Sequence, residues 1–395
     1  MQTQRELFLK HVAQTSEAPL KLEIDKAEGV YLFTTDGKRL FDLISGVSVS
    51  NIGHSHPRAI DAVCKQASQY MHLMVYGEYI QYPQVRLAQR ISEMLPKTLQ
   101  SVYFVNSGSE AVEGALKLAK RYTGKHEMVA FKNAYHGSTH GALSVMGDEE
   151  PKRSFRPLLP AVKHIEINKS EDLNLITNNT ACVIIEPIQG EGGIISASSN
   201  YLKELRNRCD EVGALLIFDE IQSGMGRTGH NFAFEKLGVV PDVLLLAKAF
   251  GGGMPLGAFI SSNQIMECLT NNPPLGHITT FGGHPVSCAA ALASIDVVSE
   301  EKVIDSVKKK EELFTSLLKE HPKVKGIRSS GLFMAIELGS FDNVQKTIKL
   351  GTERGFVTDW FLFCNTAIRI APPLTITESE IEEVCSIILE VLDEI

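Results

Sequence analysis

Two ionisable residues sit at the ends of short apolar runs. Asp219 lies at the end of ALLIFDE (214–220), and Lys248 ends VLLLAK (243–248), with two residues between it and three consecutive glycines. Both runs are aliphatic and bounded by turn signals, as expected of strands buried on both faces. Charged groups at the carboxyl ends of such strands occupy the rim where α/β sheets place ligands. A lysine at such a site is partly desolvated, which favours its neutral, nucleophilic amine. A carboxylate beside it can hold a proton on a heterocyclic nitrogen. The plain alternatives are a lysine that reaches solvent and an aspartate that caps a helix.

Together the two residues suit pyridoxal 5′-phosphate, which takes a lysine for covalent attachment and commonly an aspartate at its ring nitrogen. Gln222, three residues after Asp219, could reach the ring hydroxyl or be an ordinary surface glutamine. VNSGSEA (105–111) has the form strand, glycine turn, helix. Its Ser107, Gly108 and Ser109 would offer backbone N–H groups and hydroxyls to an anion at a positive helix end. Ser107 and Glu110 also have capping-box spacing, and the two uses are compatible. NAYHGSTHGA (133–142) gathers Tyr135, His136 and glycines after an apolar run. Tyr135 could stack on an aromatic ring or anchor the loop. Thr280, beside the two glycines of HITTFGGHP (277–285), is also suited to a phosphate.

These residues need a scaffold, and its pattern is visible. The runs 101–105, 128–133, 181–187, 214–220 and 243–248 read as strands, with helical stretches from Glu110 to Tyr122 and over 201–213. Alternation of this kind predicts an α/β fold with a mainly parallel, doubly wound sheet. Beyond Val286 helical patterns lead, with LFMAIEL (332–338) and AIRIAP (367–372) as strand candidates. The expected division is a large domain over 46–285 and a smaller α+β domain over 286–395, with residues 1–45 packing against the latter.

Bulk properties narrow the class. The net charge of −8 and the absence of long basic runs argue against nucleic-acid binding. No stretch is apolar enough for a membrane span, and the first residues look helical and polar rather than like a signal peptide. The seven cysteines, several inside apolar runs, have neither disulfide nor zinc spacing. That favours reduced thiols in a cytoplasmic protein with no metal. No strand feeds a G-x-G-x-x-G turn of the dinucleotide-binding kind.

The motifs NIGHSHP, NSGSEA, YHG, EPIQGEGG, FDEIQSGMGRTG, AKAFGGGMPLGA, TTFGGHP and RIAPPLTIT follow one another over nearly the whole chain. In order and spacing they resemble the class III aminotransferases of pyridoxal-phosphate fold type I, the ornithine, acetylornithine and omega-amino acid type. The resemblance implies a large domain with a mainly parallel seven-stranded sheet, a smaller α+β domain and a homodimer with its sites at the interface. It makes Lys248 the cofactor-bearing lysine, Asp219 the partner of the ring nitrogen and Gln222 a contact to the ring oxygen. Ser107, Gly108 and Ser109 would cradle the phosphate, Tyr135 would stack on the ring beside His136 and Glu186, and Thr280 would come from the partner subunit. Glu191 and Arg369 would form a switchable gate for the α-carboxylate of the second substrate.

One position departs from the family. Ornithine, acetylornithine and GABA aminotransferases carry an arginine after HG that holds a substrate carboxylate, whereas YHGSTHGA has Ser138. A hydroxyl cannot replace a bidentate guanidinium, so that anchor is absent or supplied from elsewhere. The expected reaction is transfer of an amino group, from a terminal amine, to an α-keto acid such as 2-oxoglutarate by a ping-pong cycle. An aminomutase or decarboxylase on the same fold, or a non-catalytic pyridoxal-phosphate-binding protein, are the alternatives.

Overall fold

Seven strands make the central sheet of the computed structural model, which describes residues 2–395. They are β1 (Ser101–Val105), β2 (Glu127–Phe131), β3 (Val162–Ile165), β4 (Thr180–Ile185), β5 (Leu215–Asp219), β6 (Val243–Leu246) and β7 (Gly257–Ser261). Their spatial order is β1-β7-β6-β5-β4-β2-β3. Only β7 runs antiparallel to its neighbours, β6 and β1. The mainly parallel seven-stranded sheet is therefore present.

Strands β4 to β7 are buried at every residue, because helices cover both faces. Successive side chains point to opposite layers. Phe218 and Leu244 join one core with Leu202 and Leu205, while Ile217 and Leu245 join the other with Val112 and Leu116. Helix α1 (Gly108–Thr123) begins at the N-cap Ser107 and stops at Gly124, whose φ of 68° supplies the left-handed cap. Gly114, in its middle, lets it approach the ring of Phe259 on β7.

The C-terminal part has its own antiparallel sheet of Gly326–Ser329, Met334–Glu337, Cys364–Ile370 and Trp360–Phe361, in that spatial order. Helices Val307–Leu318, Phe341–Arg354 and Glu378–Asp393 contribute Phe314, Val344 and Ile388 to its core. A further sheet joins the strands Ile24–Glu28, Tyr31–Thr34 and Arg39–Asp42 to the late strand Phe356–Val357. Among the described residues, no helix is long and apolar enough to cross a membrane.

After Arg39–Asp42 the chain makes a left-handed turn, with φ of 46°, 63°, 63° and 62° at Ser45, Gly46, Val47 and Ser48. That is an uncommon backbone for a β-branched valine. Asp42 Oδ1 accepts the N–H groups of Ile44 and Ser45 at 2.9 and 2.8 Å, pinning the turn at its start. Arg227, fully buried, donates to Ser45 Oγ, Asn51 Oδ1, Leu332 O and Pro372 O. Burial lowers its pKa to about 9 against a smaller opposing effect of Asp42. This arginine ties the turn to the C-terminal part.

Candidate active site

The carboxyl ends of β4, β5 and β6 and the start of α1 enclose a cavity of about 390 Å³. Every cofactor position expected from the sequence lines it except Thr280. The lysine stands slightly differently from its expected place. Strand β6 ends at Leu246, and Lys248 opens a short 3-10 turn with φ of 51°. Burial depresses the pKa of its amine; Arg369 adds to the effect, while Glu191, Asp219 and Glu186 oppose it.

Asp219 is buried and held on both oxygens. Oδ2 is 2.7 Å from His136 Nδ1, and Oδ1 accepts the N–H of Ile221 at 3.0 Å. No helix starts there, since residues 221–228 are turns, so Asp219 is not an N-cap. Glu186 braces the neighbouring loop, accepting the N–H groups of Tyr135 at 2.9 Å and Gly190 at 3.1 Å. Its carboxyl pKa is raised, first by burial, with His136 opposing and Asp219 reinforcing the shift.

At the other end, Ser107 Oγ accepts the N–H of Glu110 at 3.2 Å. The capping box is incomplete, because Glu110 turns its carboxylate to Asn106 N at 2.9 Å instead of Ser107. The first N–H groups of a helix have no partner within it, and Gly108 and Ser109, where α1 begins, line the cavity. The space is tight. A Cβ on Gly108 would stand 2.9 Å from Ile221 Cδ1, and one on Gly137 would stand 2.1 Å from Ser109 Oγ.

Outside that cavity, Arg369 Nη2 donates to both oxygens of Glu191, at 2.9 and 3.0 Å, with both residues buried. Burial pulls the Glu191 carboxyl up, but Arg369, the Leu362 N–H and Lys248 together outweigh it and the net pKa is lowered. A partner the sequence reading missed is Asp359, whose Oδ1 accepts Arg369 Nε–H at 2.8 Å. Ser138 is exposed, with its Oγ 3.3 Å from the Tyr135 hydroxyl. Thr280 is exposed and does not line the cavity of its own chain.

Pyridoxal phosphate fits this donor set on local evidence. Gln222 Nε2 and His136 Nε2 are buried without a hydrogen-bond partner, and both residues line the cavity. A cationic pyridine nitrogen suits a fixed carboxylate, a phosphate suits the start of α1, and a carbonyl suits a depressed lysine.

Relatives bear this out. The family model "Aminotransferase class-III" matches residues 12–392. The chain is 38% identical to the acetylornithine aminotransferase of Methanocaldococcus jannaschii, covering 95% of this chain and 94% of that one. It is 37% identical to ornithine aminotransferase 1 of Staphylococcus aureus, covering 95% of each. In three dimensions it superposes on the ornithine aminotransferase of Toxoplasma gondii with a TM-score of 0.90 at 29% identity, over 98% of this chain and 93% of that one. That structure has pyridoxal phosphate partially occupying its active site. The chain belongs to the class III aminotransferases and is a pyridoxal-phosphate-dependent transaminase of fold type I.

Proposed function

We propose that the protein moves the amino group of a terminal amine to an α-keto acid such as 2-oxoglutarate. The observation that carries this reading is the Lys248 amine, depressed by burial, in one cavity with the fixed Asp219 carboxylate and the start of α1. Pyridoxal phosphate, when bound, supplies an electron sink for the bond to hydrogen at the amine-bearing carbon.

The chain's residues do the rest. Lys248 would hold the cofactor, and its amine, when free, would move the proton as general base and then acid. Asp219 keeps a proton on the ring nitrogen, and His136 orients Asp219. Gln222 would donate to the ring oxygen, Tyr135 would cover the ring, and Ser107, Gly108 and Ser109 would bind the phosphate. Glu186 fixes the Tyr135 loop through its backbone. Glu191 covers Arg369 while the amine donor is bound and yields it to the α-carboxylate of the acceptor. Ser138 leaves the donor's far end without a guanidinium, which favours amines that carry no carboxylate there.

The working unit in this reading is a homodimer in which Thr280 reaches the partner's phosphate site. Support comes from one apolar surface. Met71, Tyr79, Ile80 and Tyr82 are exposed, Ile80 by 96%, and Phe281 packs on His72 with ring centroids 4.8 Å apart. The division into 1–45, 46–285 and 286–395 is part of the same reading, supported by the pairing of Arg39–Asp42 with Phe356–Val357. So is a cytoplasmic setting, supported by seven free cysteines.

The test is a panel of amines and omega-amino acids with 2-oxoglutarate, scored by glutamate formed. Glutamate should appear with at least one amine and vanish in Lys248→Ala. Turnover without an acceptor, release of carbon dioxide, or glutamate formation that survives Lys248→Ala would overturn the reading.

A further inference from the structure

Arg369 is held by two carboxylates rather than one, and they take different edges of its guanidinium. Nη2 donates to Glu191 at 2.9 and 3.0 Å, and Nε donates to Asp359 Oδ1 at 2.8 Å. Nη1 is buried with no partner. The Nη1–Nη2 edge is the fork that takes a carboxylate through two parallel hydrogen bonds. Glu191 covers one prong of that fork and the other is open.

The two acids are also anchored differently. Glu191 reaches Arg369 from across the fold, 178 residues away in sequence. Asp359 lies beside the arginine's own sheet. It immediately precedes Trp360–Phe361, which pairs with the Arg369 strand, and its backbone oxygen accepts the Arg369 N–H at 2.9 Å. Thr358 Oγ1 adds a bond to Arg369 O at 2.5 Å. Asp359 therefore stays with the arginine whatever Glu191 does.

Charge leads to the same division of labour. With Glu191 in place, one guanidinium faces two carboxylates, and a third anion has no counter-charge. With Glu191 withdrawn, Asp359 remains as the single fixed acceptor on Nε, and the fork is free. A guanidinium that lost both partners would keep only the Phe361 ring beneath it, 4.6 Å from the centroid, which leaves its rotation in that plane free, and bidentate recognition depends on one orientation.

We propose that Asp359 is a positioning residue for the keto-acid acceptor: by accepting Nε–H it holds the Arg369 fork in the orientation that the acceptor's α-carboxylate meets when Glu191 moves aside. This rests on the reading of Arg369 as the acceptor's anchor. The role is separable from simple charge balance, because an asparagine keeps the acceptor oxygen and drops the charge.

The experiment is the 2-oxoglutarate concentration dependence of single-turnover rates in holoenzyme already aminated by a donor, which gives the acceptor's apparent Kd, with single-turnover rates for the donor half-reaction alongside. Asp359→Ala should weaken 2-oxoglutarate binding by about tenfold or more, the usual scale for a hydrogen bond to a charged group. It should change acceptor binding more than it changes the donor half-reaction. Asp359→Asn should restore acceptor binding to near the parent value. If Asp359→Ala does not yield folded protein, Asp359→Ser, whose shorter side chain does not span to Nε, supplies the comparison. Parent-like binding in the alanine or serine variant overturns the proposal, as does equal weakening in the asparagine variant. Arg369→Ala is the separate control: if it leaves 2-oxoglutarate binding unchanged, the anchor reading of Arg369 is what fails.

Discussion

The ring of His136 meets the carboxylate of Asp219 at 2.7 Å, with both side chains buried. The opposite carboxylate oxygen is tied to the backbone of Ile221, so the group is oriented before any ligand arrives. Replacing Asp219 with Asn keeps the shape and removes the charge that stabilises a protonated ring. We expect turnover to fall by on the order of 10² to 10⁴-fold, the range of acid–base contributions. His136→Ala should cost less, and adding it to Asp219→Asn should cost almost nothing further, because the histidine acts through the aspartate. Steady-state rates of the two single variants and the double variant check this. Full additivity would give His136 an independent role.

Ser138→Arg should change which donors are accepted. A guanidinium beside Tyr135 offers a fork to a distal carboxylate, a gain of about tenfold or more in kcat/KM on the usual scale for charged hydrogen bonds. An amine with no carboxylate should gain nothing. The measurement is the ratio of kcat/KM for one omega-amino acid and one uncharged amine, in the parent and the variant. An unchanged ratio would remove Ser138 from the donor site.

Glu220 gives a pH signature in stability. It is buried, and its carboxylate accepts the N–H groups of Ala233 and Phe234 at 2.5 and 2.8 Å, at the start of helix Ala233–Leu237. Burial nevertheless raises its pKa from 4.5 to about 7, those two bonds opposing the shift. Between these values the native state keeps a proton that the unfolded chain releases. The contribution is therefore complete below pH 4.5 and lost as pH rises through about 7. Glu220→Gln cannot ionise, so its Tm relative to the parent should improve as pH rises across that window. Thermal unfolding at pH about 5 and about 8 tests the sign; a relative Tm that falls instead would place the ionised form in the native state.

Gly114→Ala sets helix propensity against packing. Alanine favours a helix interior by roughly 0.5–1 kcal/mol. Its Cβ would stand 2.3 Å from Phe259 Cε1 in a fully buried core, and overpacking of that kind costs about 1–3 kcal/mol. The net expectation is a loss of about 1–2 kcal/mol, with partial recovery when Phe259→Leu is added. Thermal unfolding of both variants decides it. A stabilised Gly114→Ala would show that the ring can yield.

What the sequence made legible follows from burial. Strands β4, β5 and β6 announce themselves because both faces are covered and nearly every residue is aliphatic. Strand β3, VKHI, is only partly buried and mixes polar residues into its run, and β7 sits behind glycines and a proline that read as loop. Lys248 and Asp219 could be found because their neighbours are so apolar. The bond from Asp219 to His136 spans 83 residues and the bond from Arg227 to Pro372 spans 145, and no local pattern encodes such pairings. Asp359 meets Arg369 from ten residues away around a strand turn, a pairing that no local pattern encodes either. The thiols divide by the same physics: Cys182, Cys209, Cys288 and Cys385 are buried, while Cys64, on an amphipathic helix, is exposed.

The four acceptors around Arg227 have a consequence for the order of synthesis. A chain is made from its first residue onward, and domains tend to fold as they emerge. Two of these acceptors, Ser45 and Asn51, are made long before the arginine, but Leu332 and Pro372 come after it. The strand that completes the N-terminal sheet, Phe356–Val357, is later still than Leu332. On the ribosome the central sheet can form with its arginine only half satisfied and the left-handed turn at Ser45 not yet tied to the C-terminal part. A nascent polypeptide that already holds both Asp219 and Lys248 can therefore still lack Arg369 and the last two acceptors of Arg227.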